Sequence, residues 1–545
     1  MLGGPNAEWR ITNDRRIPET GDYAEAEDKA HGAALMRVLL CIAVLLNVWP
    51  AWGQTFNERY DLRDRGRAQG AWDIEPIGNG SHVVIQASSE LDTVGPGLYL
   101  THYTIGLTMI DTQDGTMLWE TRFFPPWRSV APGFANCCDT IPNDGFVIGA
   151  ASQDSLLEIA PYLMVFAPNG DTTLTRELRI PGQDWNPFST KRTQDGGFII
   201  MGQTDATGYR DGFAIKTNAQ GDIEWRRTYG ESAPQTDGLL HVVQLPNGDY
   251  IMGGSKFPTN TTMTHWLQRT DPLGEVTDEA LWPVSELGGG PHLSLLTNGH
   301  VLLASNVANA PDFVQDVFYL AEVDPADLSI VWEREFGAPA SFQVLYAAKQ
   351  VPNGDLIACG VSEEIGGYQG VLLRTTSSGD SLWMRRYFYQ DAVISQGVGQ
   401  FYDVLPTDDG GFIATGPVYS QLNMPNPPGY SQDAWVVKVD GQGCIVPGCN
   451  IVGISEQATN LLDAFSIHPN PAHGSTTLEL TLPQSVHASN LELTLVSADG
   501  RVVQRERIVG NGTHVLDLSQ RGAGIYYAHV ASGGKWLTGA KLVVE

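Results

Sequence analysis

The chain is poor in charge. Asp, Glu, Lys and Arg make up 17% of its 545 residues, against about a quarter in an average globular protein. Basic residues are the scarcer sign: 33 Lys and Arg face 62 Asp and Glu, a formal net charge of −29. A cationic surface is what nucleic acid and anionic lipid require, so neither is expected as a partner. Long hydrophobic runs are missing too. The longest, Val38 to Trp49, has 12 residues with Asn47 as its one polar member, short of the about 20 that span a bilayer, so no transmembrane segment is expected in the mature chain. Catalytic signatures are also missing. No His is followed by Glu, and there is no G-x-S-x-G elbow, phosphate loop or dinucleotide fingerprint.

Glycine and aromatics are plentiful, with 60 Gly and 14 Trp beside an apolar fraction of 42%. That combination suits many short strands joined by tight turns around a sizeable core, and it excludes wholesale disorder. The length allows two to four domains, or one large repeat array with an appendage. Residues 36–53, MRVLLCIAVLLNVWPAWG, carry Arg37, the apolar stretch, a Pro50 break and small Ala51 and Gly53. They read as a secretory signal peptide, with a mature start near Gln54. Residues 1–35 are polar, with charges of both signs, and read as a mis-assigned N-terminal extension, Met36 being the true start.

One phrase recurs through the middle of the chain: a turn, then an apolar run ending in small residues. It stands as NGSHVVIQA from Asn79, NDGFVIGA from Asn143, DGGFIIMG from Asp195, NGDYIMGG from Asn247, NGHVLLAS from Asn298, NGDLIACG from Asn353 and DGGFIATG from Asp409. Its glycines are spaced 65, 51, 52, 51, 55 and 56 residues apart. Asn-Gly and Asp-Gly accept the positive φ of hairpin turns, and the β-branched run after them makes a doubly buried strand. A further strand and then one bearing Trp119, Trp225, Trp332 or Trp383 close several units. Four strands per roughly 50 residues is the signature of a propeller blade. Residues 54–449 therefore read as a β-propeller of about seven blades. The last unit lacks its fourth strand, and QTFNERYDL from Gln54 resembles what is missing, so the N-terminal strand is expected to complete it. A Trp at one place in each blade is expected to pack between neighbouring sheets.

The mature chain has Cys137, Cys138, Cys359, Cys444 and Cys449. In an exported protein Cys444 and Cys449, with four residues between them that include a Pro-Gly turn, are expected to form a disulfide. Cys359 reads as a core residue; for Cys137 and Cys138 a vicinal disulfide and pairing elsewhere both stay open. No motif specifies a cofactor. Asp and Asn in the repeat turns offer oxygens for calcium, but their regular placement fits turn geometry. His82, His102, His241, His265, His292 and His300 are scattered and read as polar strand or loop residues. The aromatic loops around Trp127, Phe134 and Trp185 supply candidate ligand contacts, able to stack on sugar rings or anchor a protein partner.

After a linker (450–460), residues 461–545 alternate apolar residues between Gly, Asn and Pro turns, which indicates a small β-sandwich. Its net charge is −1, so the acidity belongs to the propeller. The tail carries Pro469-Asn470-Pro471 after FSIH, Asp499-Gly500-Arg501 after LTLVSA, Gly524-Ile525-Tyr526-Tyr527, and Lys541-Leu542-Val543-Val544 at the end. In that order these resemble the type A C-terminal sorting domain of the type IX secretion system of Bacteroidetes. The resemblance implies export by the signal peptide, outer-membrane passage through the type IX machinery, and a protein released or attached to the cell surface. The fold class is thus all-β, a seven-bladed propeller followed by a small sandwich. The function expected is binding or adhesion, toward a glycan or surface-protein ligand. The alternative is a carbohydrate-active or quinone-type enzyme with its site at the central channel. Convergent carboxylates in a pocket would favour the enzyme, and exposed aromatics on a flat face would favour binding.

Overall fold

The computed structural model describes residues 55–545 apart from 61–68, 79, 96–97, 124–128, 135, 143–144, 231–235, 260–261, 286–289, 309–315, 341, 365–366, 390–396, 421–431, 446–448, 450–454, 457–463, 483–490, 498–500 and 533–534. The expectations for residues 1–53, Trp127, Asp499 and Gly500 lie outside the described residues. Those residues hold strands and turns, with no α-helix. Seven antiparallel sheets of four or five strands follow one another along the chain, and a further set of strands forms the tail.

The ring is built from the inside. The first strand of each sheet, Gln69–Gly78, Cys138–Ile141, Trp185–Arg192, Gly238–Gln244, His292–Leu295, Gln343–Gln350 and Asp403–Pro406, touches the first strand of the next, and the last touches the first. This closed cycle is the geometry of a β-propeller. The second strands are nearly continuous apolar runs such as Phe198–Thr204, buried because both faces meet neighbouring blades. The final blade takes its outer strand from the N-terminal side of the ring. Phe56–Tyr60 pairs antiparallel with Gln432–Val439, Phe56 opposite Lys438 and Tyr60 opposite Ala434. Arg59 reaches Asp433 at 2.7 Å, and the Trp435 indole donates to Asn57 Oδ1 at 2.6 Å.

Neighbouring blades are joined by a repeated lock. In the third blade Trp225 Nε1, Arg227 Nε and Tyr229 Oη donate to the carbonyls of Pro272, Leu273 and Gly274, one turn of the next blade. In the sixth, Trp383, Arg385 and Tyr387 do the same to Gly441, Gln442 and Gly443. At the seam Tyr60 Oη donates to Gly115 O at 2.5 Å. At five of the seven junctions a turn glycine of positive φ lies so close to the preceding blade's ring that a Cβ would meet it: Phe56 over Gly115, Trp119 over Gly170, Trp225 over Gly274, Trp332 over Gly379, Trp383 over Gly443; in the third blade Gly221 meets Arg176 instead, and in the fifth Leu328 takes the glycine's place. The recurring Trp residues are inter-blade packing. Within blades, a third-strand cation holds the acid of the first turn: Lys216 to Asp195, Arg269 to Asp249, Arg374 to Asp355 and Lys438 to Asp409, all at 2.7–2.8 Å.

The tail's strands form one continuous hydrogen-bonded set, in the order Val502–Arg507, Leu491–Ser497, Gly524–Ser532, Lys535–Val544, Phe465–His473, Ser475–Leu480 and Gly512–Asp517. Leu478, Leu480, Leu516, Leu493, Leu495, Val530 and Leu542 share its apolar core. Two pieces of the terminal motif meet here. The Asn470 amide donates to Lys541 O at 2.7 Å and accepts from Val543 N–H at 2.8 Å, so the Pro469-Asn470-Pro471 segment clasps the last strand. Tyr526 Oη donates to Gly522 O, closing the approach to Gly524.

Two predictions follow from these contacts. Gly274→Ala places a methyl 2.9 Å from the Trp225 ring at φ +79° and should cost about 2–4 kcal/mol. Gly299→Ala, at φ +87° with nothing within 4 Å, should cost only about 1 kcal/mol of backbone strain. Denaturant unfolding of both separates packing from backbone. Asn470→Ala removes both hydrogen bonds to the last strand, and faster proteolysis of residues 535–545 is expected.

Candidate functional site at the ring axis

The first strands carry an unusual set of residues for a buried location. Four of them bulge at the same level, between Ala71 and Asp73, Pro187 and Ser189, Leu239 and His241, and Leu345 and Ala347. A bulge sets one residue out of the pleat and re-aims it; here these are Trp72, Phe188, Leu240 and Tyr346. In the second and seventh blades the inner strand is interrupted instead, leaving Phe134 and Tyr402 in the gaps. Trp72 stacks on Tyr402 at 4.8 Å, while Phe134 and Tyr346 meet Tyr402 edge-on at 5.5 and 4.9 Å. Four aromatics from blades one, two, six and seven thus pack together across the axis.

Beyond this cluster the inner strands contribute charge. Asp73 accepts from the backbone N–H of Ile74 and Cys138 at 2.9 and 2.8 Å, and Lys349 Nζ donates to Asp403 at 2.9 Å. Lys191 Nζ donates to Cys138 O at 3.1 Å, and Asp139 accepts from Thr140 and Arg192 N–H. Burial, with the nearby charge of Asp403, pushes the Asp73 carboxyl up to about 7 although Lys191 and Lys349 oppose it. Burial also raises Glu75 well above the carboxylate range, against the pull of both lysines. Lys191 is buried, which works against its charge, yet Asp139, Glu75 and Asp73 hold its ammonium above the usual lysine range. His241 and His292 meet edge-on at 4.6 Å. Burial keeps both neutral: His241 is lowered to about 3, and His292 falls too, with His241 and both lysines adding to the effect.

A cavity of about 460 Å³ opens among blades two to six, lined by Asn136, Asp139, Lys191, His292, Ser294 and Lys349 among others. Its size suits a small ligand. Sequence reasoning did not find it: the lysines, carboxylates and histidines that meet there stand in different repeats, and only a shared distance from each turn glycine links them.

The residues singled out in the sequence fall elsewhere. Trp185 is 4% exposed and packs on Phe213 at 4.9 Å; it lies away from the axis, at the edge of a separate cavity of about 600 Å³ beside Arg227 and Tyr229. Phe134 is 36% exposed and belongs to the axial aromatic cluster. Cys444 and Cys449 are joined, with Cα atoms 5.6 Å apart. Cys137, Cys138 and Cys359 are buried free thiols, all raised by burial. Of the histidines, His82 and His265 bond Thr112 and Ser305, and His300 bonds Glu322. Among the described residues no group of three or more His, Cys, Asp or Glu could hold a metal ion, and the turn acids Asp195, Asp249, Asp355 and Asp409 hold Lys or Arg.

The signs of these shifts predict opposing pH effects. Asp73 keeps a proton in the native state that the unfolded chain, with its carboxyl near 3.8, releases; that stability is lost as pH rises from about 4 to 7. His241 stays neutral where the unfolded chain takes up a proton, so its contribution is lost as pH falls from about 6.5 to 3. Asp73→Asn should flatten the loss toward pH 7, and His241→Gln the loss toward acid, each by a few kcal/mol in unfolding measured across pH 4–8.

Comparison with known proteins identifies the tail. Residues 466–545 match the secretion system C-terminal sorting domain. No curated protein matches the chain. Solved structures similar to it include a protein of unknown function from Dyadobacter fermentans (9% identity, 61% of this chain and 97% of that one, TM-score 0.39). Others are Drosophila Semaphorin 2a (7%, 91% and 98%, 0.40) and a Penicillium chrysogenum alpha-L-arabinanase complexed with arabinobiose (13%, 56% and 92%, 0.38). Likenesses this slight carry no argument, and the propeller rests on the chain's own strand pairing. The chain is a β-propeller cargo of the type IX secretion system, secreted or attached to the cell surface, and its sorting signal is the C-terminal domain.

Proposed function

We propose that the exported protein is a binding module whose recognition site is the axial cavity of the propeller, and that residues 36–53 and the tail serve only to deliver it. The observation that carries this reading is the 460 Å³ cavity walled by side chains from five blades. Lys191 and Lys349 are held there by fixed partners on rigid strands, and a preorganised wall loses little freedom on binding. The enzyme alternative draws on one feature, the raised proton affinity of Asp73 beside Glu75 and Asp403, which is the kind of perturbation that general acids show. Asp73 and Asp403 are fully buried and Glu75 is 7% exposed, so these carboxyls stand behind the wall, and binding is the reading they support better.

The test has two parts. Deleting residues 461–545 should leave the protein inside the cell while the full chain reaches the surface or medium. The full-length protein is then screened by thermal shift against glycans, organic acids and surface extracts. A ligand whose shift disappears in Lys191→Gln supports the cavity. A ligand unaffected by that change moves recognition to another face, and turnover of a saccharide that Asp73→Asn abolishes would establish the enzyme.

A further inference from the structure

The polar groups that face the cavity are not balanced between donors and acceptors. The Asp139 oxygens already accept Thr140 and Arg192 N–H at 3.0 and 2.8 Å. The donors are less occupied. Asn136 is 2% exposed, and its amide Nδ2 has no hydrogen-bond partner. Its backbone is fixed nonetheless, because Asn136 O accepts Thr190 N–H at 3.1 Å and Ser189 Oγ at 3.3 Å. Ser294 Oγ is likewise buried without a partner. His292 Nδ1 accepts Ala348 N–H at 3.3 Å, so the proton of its neutral ring sits on Nε2. Lys191 Nζ has one hydrogen-bonded carbonyl, leaving ammonium hydrogens to spare. Asn136, Lys191, His292, Ser294 and Lys349, from blades two, three, five and six, all line one cavity.

We infer that the axial cavity takes the oxyanion group of a small organic molecule, a carboxylate or a sulfate or phosphate ester, bound by Lys191, Lys349, Asn136 Nδ2, Ser294 Oγ and His292 Nε2. This rests on the cavity being the ligand site. The acidity of the chain does not oppose it at short range: each wall carboxylate is engaged by an ammonium or by backbone N–H groups, and charges farther away than about 10 Å are screened at ordinary ionic strength. An oxyanion fits the set because it brings acceptors and a negative charge to a wall that carries two ammonium groups, whereas a neutral sugar brings no charge to meet them.

The pH dependence of binding follows from the groups around the site. Asp73 faces Asp403, Lys191, Lys349 and the Cys138 N–H; Glu75 faces both lysines, Asp73 and Asp139. His292 faces His241 and both lysines and stays neutral. A bound anion favours the protonated carboxyls, so binding should tighten as pH falls from 8 to 6.

The experiment titrates the full-length protein with glucuronate, glucose 6-sulfate, glucose 6-phosphate, inorganic sulfate and glucose, by calorimetry at pH 6 and 8. At least one organic anion is expected to bind, at least threefold more tightly at pH 6, while glucose does not. Asn136→Asp turns the unpaired donor into a charge of the wrong sign, in a residue type that accepts the positive φ of this position, and should weaken binding at least tenfold. Ser294→Ala removes a hydroxyl with no partner and should weaken it several-fold, with a melting temperature near that of the parent. A response to glucuronate alone fixes the group as carboxylate, and a response to the esters alone as sulfate or phosphate. Glucose binding as well as glucuronate, inorganic sulfate binding alone, or binding unchanged in both variants would overturn the proposal. In those cases a ligand lost in Lys191→Gln keeps the cavity as the site, and one retained there removes the cavity reading as well.

Discussion

Everything in the ring hangs on how one blade meets the next. The contact is a turn glycine, at positive φ and without a side chain, lying under the aromatic ring of the preceding blade. Ring and turn are then tied by hydrogen bonds from Trp, Arg and Tyr to three successive carbonyls. Those carbonyls belong to a turn and have no strand partner, so without the preceding blade they would need water. The lock therefore does two things at once: it buries an indole, and it satisfies backbone acceptors that the hairpin leaves open. Because the glycine-under-ring contact recurs at five of the seven junctions, the angle between those blades is set by the same local chemistry.

That repetition is why so much of the fold was legible. The turn glycines from Gly80 to Gly410 mark each hairpin, and the spacing of Trp119, Trp225, Trp332 and Trp383 from them marks the outer strand. Phe56 and Tyr60 copy the positions of Trp225 and Tyr229, with the same relation to a turn glycine. The tail was legible for another reason: its motif residues are in contact, Asn470 with the backbone around Lys541, so the motif records a structural clasp.

The axial site was not legible, and the reason is physical. Periodicity reports what blades share, while the channel is made of what they do not. At equivalent places on the inner strands stand Glu75, Lys191, Ser294 and Lys349, which no pattern relates. Their meaning appears only once the ring brings blades one, three, five and six to a common axis. The bulges that set Trp72 and Tyr346 out of the pleat are similarly silent in the sequence, since a bulge is a property of pairing register. Trp185 shows the converse error: an aromatic beside Pro and Asn looked exposed, but the strand alternation turned it inward.

The strand Phe56–Tyr60 has a kinetic consequence. Its partner, Gln432–Val439, lies some 375 residues later in the chain, so the two edges of the last blade are the most distant pairing in the ring. Loop closure over such a span is entropically slow. Phe56–Tyr60 must therefore wait, unpaired, until nearly the whole propeller has emerged. Until the two strands meet, the ring is an open array with two exposed sheet edges, and joining them converts a set of adjacent blades into one cooperative unit. The latch ties closure to the end of the propeller sequence, so the blade that closes the ring is the one that stands next to the C-terminal domain in the chain.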